Sequence, residues 1–102
     1  MYDMGNLKKL SQIDEAAPDG MAAFRAFDAA ALADGGAIPR KYKELIAVAV
    51  ALTTQCPYCL DLHRKAAKYA GATREELAEA VLIAAALRAG AAITHGTHVN
   101  GG

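Results

Sequence analysis

The chain has 102 residues, 54% of them hydrophobic, and a formal net charge of zero at pH 7. This length predicts a single domain over residues 1–102, and the balanced charge provides no basic face for a nucleic acid. The start of the chain lacks the apolar region of a signal peptide, and apolar runs such as residues 81–87 are far shorter than the ~20 residues of a membrane span. We therefore expect a cytoplasmic protein that binds neither nucleic acids nor membranes.

The first third of the chain predicts one clear helix after a weakly patterned lead. Residues 1–17 show only short stretches of helical spacing, whereas Pro18 suits the first turn of a helix. Phe24 and Phe27 fall on one side of that helix, and a glycine pair that begins at Gly35 ends it. Alanine, the best helix former, makes up about a quarter of the chain, so we expect thin helices that approach one another closely.

The segment after Pro39 is apolar on every side, which predicts a helix that is buried all round. Its β-branched residues also suit a buried strand, so the pattern leaves both structures open. Cys56 then precedes Pro57, a proline suited to the first turn of a helix, which places Cys56 at or near the N-cap of that helix. Gly71 ends it.

The last predicted helix begins with a capping box made by Thr73 and Glu76. It is apolar nearly all round, and residues 96–102 predict a loose tail after it. Two helices without a polar side are difficult to cover in so short a chain. We therefore expect other copies of the chain to cover them in a homo-oligomer.

The only two cysteines, Cys56 and Cys59, form a C-x-x-C motif, and His63 follows four residues after the second. In the cytoplasm such a pair is more often redox-active or metal-binding than a structural disulfide. At ~100° per residue, the three side chains lie within about 60° of each other on a helix. Free N–H groups at a helix N-terminus stabilise a thiolate, which is the nucleophile toward peroxides and disulfides. His63 is placed to exchange a proton with it.

Glu44, twelve residues before Cys56, is the acidic residue in the first turn of the apolar helix. One interpretation is an ordinary helix carboxylate paired with Lys41 or Lys43. Another is a desolvated carboxylate at the edge of the core that acts as a base for a cysteine. The sequence leaves both interpretations open.

The order of Glu44, the two cysteines and His63 resembles the pattern of the alkyl hydroperoxidase D and carboxymuconolactone decarboxylase superfamily. The stretch K-E-L-I-A-V-A-V-A-L-T-T-Q-C-P-Y-C-L-D-L-H-R-K-A-A is similar to that family's core helix pair, and the resemblance covers residues 39–94. It implies an all-α, alkyl hydroperoxidase D-like fold whose subunits assemble into homotrimers or homohexamers.

The resemblance also implies a thiol peroxidase that reduces organic hydroperoxides. Cys59 would attack the hydroperoxide and Cys56 would resolve the sulfenate into a disulfide. Glu44 and His63 would relay the proton, and a lipoyl- or thioredoxin-type protein would return the dithiol, so we expect no metal or other cofactor. Tyr58 is a departure, because alkyl hydroperoxidase D itself has a histidine between the cysteines. The decarboxylase branch typically lacks the cysteine pair, so lactone decarboxylation is not expected.

Two other classes of protein share parts of this motif. C-P-Y-C is also the active-site motif of glutaredoxins, but their thioredoxin-like fold requires further strands and a cis-proline after the motif, and no proline follows Pro57. A Cys₂His₂ zinc set is the other possibility, with the ligands Cys56, Cys59 and His63 plus His95 or His98. The alternatives to a peroxidase are therefore a dithiol exchange protein and a metal-binding helical oligomer.

Overall fold

The computed structural model describes residues 2–100, and this range contains helices and no strand. A 3-10 helix, Met4–Lys9, is followed by α1 (Leu10–Ala16), α2 (Pro18–Leu32), α3 (Arg40–Thr54), α4 (Pro57–Tyr69), α5 (Arg74–His95) and α6 (Thr97–Asn100). The prediction of an all-α fold is confirmed, and the segment that also suited a strand is α3. The ends of the predicted lead and tail, residues 1 and 101–102, lie outside the described residues. Residues 97–100 of the tail form a helical turn rather than a loose end.

Local signals place the ends of the helices close to where the sequence predicts them. Pro18 occupies the first turn of α2, and Cys56 is the N-cap of α4. Gly71 follows α4 with a φ of 96°, a backbone conformation that glycine adopts without a steric cost. Thr73 and Glu76 form the predicted capping box of α5, with each side chain accepting from the other residue's backbone N–H.

The core is formed where α3 packs against α4 and α5. Its buried apolar side chains are small, which lets the helices approach closely; they are Val48, Ala51, Ala67, Ala80 and Ala84. Glu44 on α3 is the largest side chain that is fully buried among the described residues, with 1% of its surface exposed. A fully buried carboxylate therefore lies where α3 contacts α4.

The N-terminal region is packed very differently. Neither α1 nor α2 has a buried residue, and Phe27 on α2 is 72% exposed. The Cα radius of gyration is 16.8 Å, whereas a compact domain of about 100 residues has a value near 13 Å. The described chain is thus extended, with large apolar side chains outside any core.

The two helices expected to be buried all round are each buried on one side only. Ile46 and Val50 on α3 are about half exposed, and Leu82 and Leu87 on α5 are both 67% exposed. By length and apolar composition, the helical stretch Arg74–Val99 also meets the requirement for a membrane span, although one such helix is weak support for a membrane protein. The inner helix of a soluble assembly has the same composition.

Candidate active site

The two cysteines lie at the junction between α3 and α4. Gln55 takes the left-handed conformation, with a φ of 59°, and the Cys56 N–H donates to Ala51 O at 3.1 Å, which ends α3 and reverses the chain. Cys56 then caps α4, where its Sγ accepts from the backbone N–H of Cys59 at 3.2 Å. Both thiols are free, Cys56 half-buried and Cys59 exposed.

The environment of the pair separates the acidities of the two thiols. A hydrogen bond from the Cys59 side chain, followed by one from the Cys59 backbone N–H, lowers the pKa of Cys56 below its usual value. The contact with the Cys56 side chain, followed by burial, raises the pKa of Cys59. In the reduced protein the first proton therefore leaves Cys56, and Cys59 donates to the thiolate that forms.

Glu44 connects α3 to α4 through both of its carboxylate oxygens. Oε2 lies 2.7 Å from Nδ1 of His63 on α4, and Oε1 accepts from Nε of Arg40 at 2.9 Å, one helical turn earlier on α3. The Arg40 guanidinium compensates the charge of this buried carboxylate. Because a carboxylate only accepts hydrogen bonds, Nδ1 of His63 carries the hydrogen of that contact. Nε2 is then the ring nitrogen left to take up or release a proton.

Cys59 and His63 line the same cavity, which we call the Cys59 cavity. It has a volume of about 440 Å³ and lies between α2, α3 and α4. Most of its lining is apolar, and it includes Leu32, Ile38, Ile46 and Val50, while Asp28 and Lys43 supply two charged side chains. A thiol, a histidine and an apolar wall therefore face one space that is large enough for a small organic molecule.

The family of the chain is shown by comparison with known proteins. A family model, described as the carboxymuconolactone decarboxylase family, matches residues 18–99. The chain belongs to the carboxymuconolactone decarboxylase family. The family predicted from the sequence is thereby confirmed.

Two curated relatives in this comparison carry no assigned activity. A protein from Paracoccus denitrificans, described as uncharacterized protein 4 in the cox locus, is 51% identical over 73 residues, which cover 72% of this chain and 65% of that protein. An uncharacterized protein from Cupriavidus necator is 40% identical over 76 residues, 74% of this chain and 66% of that protein. The chain spans just under two thirds of the length of these relatives.

Two solved structures share the fold and a substantial part of the sequence. A carboxymuconolactone decarboxylase family protein from Legionella pneumophila has a TM-score of 0.73 at 37% identity, over 79% of this chain and 71% of that one. A protein from Methanobacterium thermoautotrophicum has a TM-score of 0.77 at 34% identity, over 83% of this chain and 94% of that one. The all-α fold is therefore the fold of this family.

The structure of this carboxymuconolactone decarboxylase family chain brings together all four residues that the sequence singled out. Glu44 contacts His63 directly, and His63 shares a cavity with Cys59, which contacts Cys56. The alternative pairing of Glu44 with Lys41 or Lys43 is wrong. Lys41 pairs with Glu76 of α5 at 2.9 Å, and Lys43 donates to the carbonyl oxygen of Ala33.

Arg40 is the residue of this site that the sequence reasoning missed. It lies four residues before Glu44, a spacing that places opposite charges side by side on a helix, so the signal was present in the sequence. Tyr58, the departure from the family pattern, accepts a hydrogen bond from Nδ2 of Asn6 at 3.0 Å, and its ring contacts that of Tyr2. It connects the N-terminal segment to the first turn of α4.

The histidines of the zinc alternative pack on each other near the end of α5. The His95 and His98 rings are 5.6 Å apart. Within residues 2–100, no three His, Cys, Asp or Glu side chains come close enough together to hold a metal ion. The geometry therefore gives no support to a site that joins these histidines to the cysteines.

Proposed function

We propose that this protein is a thiol-dependent peroxidase that reduces organic hydroperoxides through a cycle between the Cys56–Cys59 dithiol and its disulfide. The observation that carries the proposal is the shared cavity of Cys59 and His63, in which a buried carboxylate orients the histidine. The apolar wall favours an alkyl hydroperoxide over hydrogen peroxide.

The first step forms a sulfenic acid on Cys59. Its thiol loses a proton to Nε2 of His63 or to the Cys56 thiolate, and its sulfur attacks the terminal oxygen of the hydroperoxide. The O–O bond breaks, and the departing alkoxide takes up that proton and leaves as an alcohol. Cys59 is oxidised to the sulfenic acid and the hydroperoxide is reduced.

The second step requires Cys56 as a thiolate, which the backbone N–H of Cys59 at the start of α4 stabilises by donating to its sulfur. The Cys56 thiolate attacks the Cys59 sulfur, the S–O bond breaks, and the hydroxide takes the remaining proton to leave as water. The net reaction converts a dithiol and a hydroperoxide into a disulfide, an alcohol and water. A dithiol donor, which we propose to be a lipoyl- or thioredoxin-type protein, then restores the two thiols.

A thiol count by intact mass tests the cycle and both cysteine roles. The reduced protein is mixed with one equivalent of cumene hydroperoxide, beside Cys56→Ser and Cys59→Ser variants. We expect the wild type to lose two hydrogens, Cys56→Ser to gain one oxygen, and Cys59→Ser to remain unreacted. An oxygen gained by Cys59→Ser while Cys56→Ser stays reduced would exchange the two roles. Thiols that survive the hydroperoxide in the wild type would end the peroxidase proposal.

Disulfide exchange with a partner protein is the second candidate function. It is favoured by the depressed pKa of Cys56 at the start of a helix, because a thiolate in that position attacks disulfides. If cumene hydroperoxide leaves the dithiol intact while oxidised glutathione converts it to the disulfide, this candidate replaces the peroxidase.

We also propose that the protein works as a homo-oligomer, a trimer or a hexamer. Phe24 and Phe27 of α2 and Leu82, Leu87 and Ile93 of α5 are each more than half exposed. Removal of such large apolar side chains from water stabilises association by about 1.5–3 kcal/mol for each one that becomes fully buried. Light scattering coupled to size exclusion measures the mass, and a monomer at micromolar concentration would contradict this proposal.

A further inference from the structure

The two cysteines of the dithiol line different cavities. Cys59 lines the Cys59 cavity, whereas Cys56 lines a cleft of about 220 Å³ on another side of α4. That cleft shares Leu52, Pro57 and Leu60 with a larger cavity of about 700 Å³ between α3, α4 and α5. We call the larger space the basic cavity. The basic cavity and the Cys59 cavity have no lining residue in common.

The basic cavity combines an apolar lining with an excess of positive charge. Its charged lining residues are Arg64, Lys68, Arg74 and Asp61. Asp61 already pairs with Arg64 at 2.8 Å and with Lys65 at 2.9 Å, so its charge is compensated locally. Lys68 and Arg74 are exposed, and neither forms an ion pair within residues 2–100. Two uncompensated cations therefore stand beside an apolar surface.

We propose that this side of the molecule docks the electron donor, an acidic protein that presents its dithiol to Cys56 while its carboxylates meet Lys68 and Arg74. The inference rests on the proposed dithiol–disulfide cycle and names the entry side, the charge of the donor and the sulfur that it attacks. From Cys56 to Lys68 the surface of α4 extends ~18 Å, the length of about five or six residues of extended chain. The apolar lining gives the donor segment an area to bury.

Reduction from the Cys56 side proceeds by two thiol–disulfide exchanges. A donor thiolate attacks the Cys56 sulfur, and the Cys56–Cys59 bond breaks. Cys59 leaves as a thiolate and takes up a proton in the cavity that it shares with His63. The second donor thiol then attacks the mixed disulfide at the donor's own sulfur. Cys56 departs as a thiolate, the form favoured by its position at the start of α4, and the donor becomes a disulfide. The hydroperoxide and the donor thus use separate sides of one redox centre.

The test compares two synthetic dithiol peptides that differ only in charge. Each contains a C-G-P-C sequence, flanked by four glutamates in one and by four glutamines in the other, and dithiothreitol serves as a small neutral donor. The protein is first oxidised with oxidised glutathione, so the assay does not depend on peroxidase activity. Initial rates of disulfide reduction are followed by acid quench and intact mass at low and high salt. We expect the glutamate peptide to be about tenfold faster at low salt, with the advantage lost at high salt.

A pair of charge-reversal variants locates the docking side. K68E/R74E should abolish the advantage of the glutamate peptide and leave the rate with dithiothreitol unchanged. The matched control K8E/K9E makes the same change in net charge on the 3-10 helix, at exposed lysines that line none of these cavities, and should keep the advantage. Equal peptide ratios in the wild type and K68E/R74E would overturn the inference. A K68E/R74E protein that keeps the advantage of the glutamate peptide and differs from the wild type only in its light-scattering mass would also overturn the inference, because the basic cavity would then bind a second copy of the chain.

A monothiol version of the glutamate peptide identifies the sulfur that is attacked. With its second cysteine replaced by serine, this donor stops at the mixed disulfide, which fragmentation mass spectrometry assigns to Cys56 or Cys59. Attachment to Cys56 is expected, and attachment to Cys59 would overturn the inference while the cycle stands. A protein that forms no internal disulfide at all would overturn both the proposed cycle and this inference.

Discussion

The C-terminal helices and the N-terminal helices of this chain are stabilised in different ways. α3, α4 and α5 bury small apolar side chains and one carboxylate against each other, whereas α1 and α2 bury nothing completely. Three of the four proposed catalytic side chains are on the packed helices and the fourth, Cys56, caps one of them. The proposed catalytic side chains therefore belong to α3, α4 and α5, which we call the packed half, while α2 supplies a loosely held wall of the Cys59 cavity.

The largest effect should come from Glu44→Gln, which tests the packed half at its centre. An amide accepts through one atom and donates through the other, so it cannot satisfy both Arg40 and the Nδ1–H of His63, whichever way it points. We expect the rate of sulfenate formation to fall by about 100-fold, the range for loss of general acid–base assistance. Stopped-flow mixing with cumene hydroperoxide measures it. Glu79→Gln, at an exposed position on α5, should change nothing.

Two further variants compare how much a side chain of α3 and a side chain of α2 contribute to the free energy of unfolding. Val48→Ala removes two methyl groups from a side chain that is 3% exposed and should cost about 2 kcal/mol in the free energy of unfolding. Phe27→Ala removes a side chain that is 72% exposed and should cost less than about 0.5 kcal/mol in the dissociated protomer. Urea unfolding at low protein concentration measures both.

The same Phe27→Ala variant should act on association rather than on the protomer. Light scattering is expected to show a shift toward smaller species, because the side chain would be buried only between copies. A Phe27→Ala protein as unstable as Val48→Ala, with an unchanged mass, would show that the protomer itself buries α2.

Thr73→Ala tests the N-terminus of α5 and should have a smaller effect. It removes the hydroxyl that accepts from Glu76 N–H at 3.0 Å and should lower the free energy of unfolding by about 1 kcal/mol. Thr94→Ala, an exposed residue within α5, is the matched control and should stay within about 0.5 kcal/mol of the wild type. Equal losses in the two variants would mean that the cap contributes nothing specific.

The smallest effect concerns the acidity of the two thiols. Because Cys59 lowers the pKa of Cys56 through its side chain, Cys59→Ala should raise that pKa and shift the alkylation of Cys56 by iodoacetamide to higher pH. Cys59→Ser keeps an O–H donor and should shift it less. In the wild type, alkylation near neutral pH should begin at Cys56, which peptide mass spectrometry checks. Preferential alkylation of Cys59 would contradict the hydrogen-bond arrangement.

The features that the sequence predicted correctly depend on neighbours along the chain. The capping box at Thr73, the N-cap at Cys56 and the one-turn spacing of Cys59 and His63 all follow from a few consecutive residues. The family resemblance placed Glu44 in one proton relay with Cys59 and His63, which no local rule supplies. Arg40 was within reach of the same local rules, because it precedes Glu44 by one helical turn.

The features that escaped prediction depend on tertiary contacts. Lys41 does not pair with Glu44, because it forms an ion pair at 2.9 Å with Glu76, which is more than thirty residues later in the chain. Composition indicated that α3 and α5 have apolar surface to cover, but a count of apolar residues carries no information about what covers it. The exposed positions of Leu82 and Leu87 are a property of how α5 docks on α3, and that angle is not encoded in periodicity.

The largest fully buried side chain among the described residues is that of Glu44, and this limits how the protein can be engineered. Joint replacement of Glu44 and Arg40 by hydrophobic residues would exchange an ion pair at the edge of the core for packed hydrocarbon, a change that is often neutral or stabilising. Here the same replacement would remove the acceptor that orients His63. Selection of heat-resistant variants without an activity screen should therefore enrich proteins that fold well and have lost the reaction, a trade-off built into the position of one side chain.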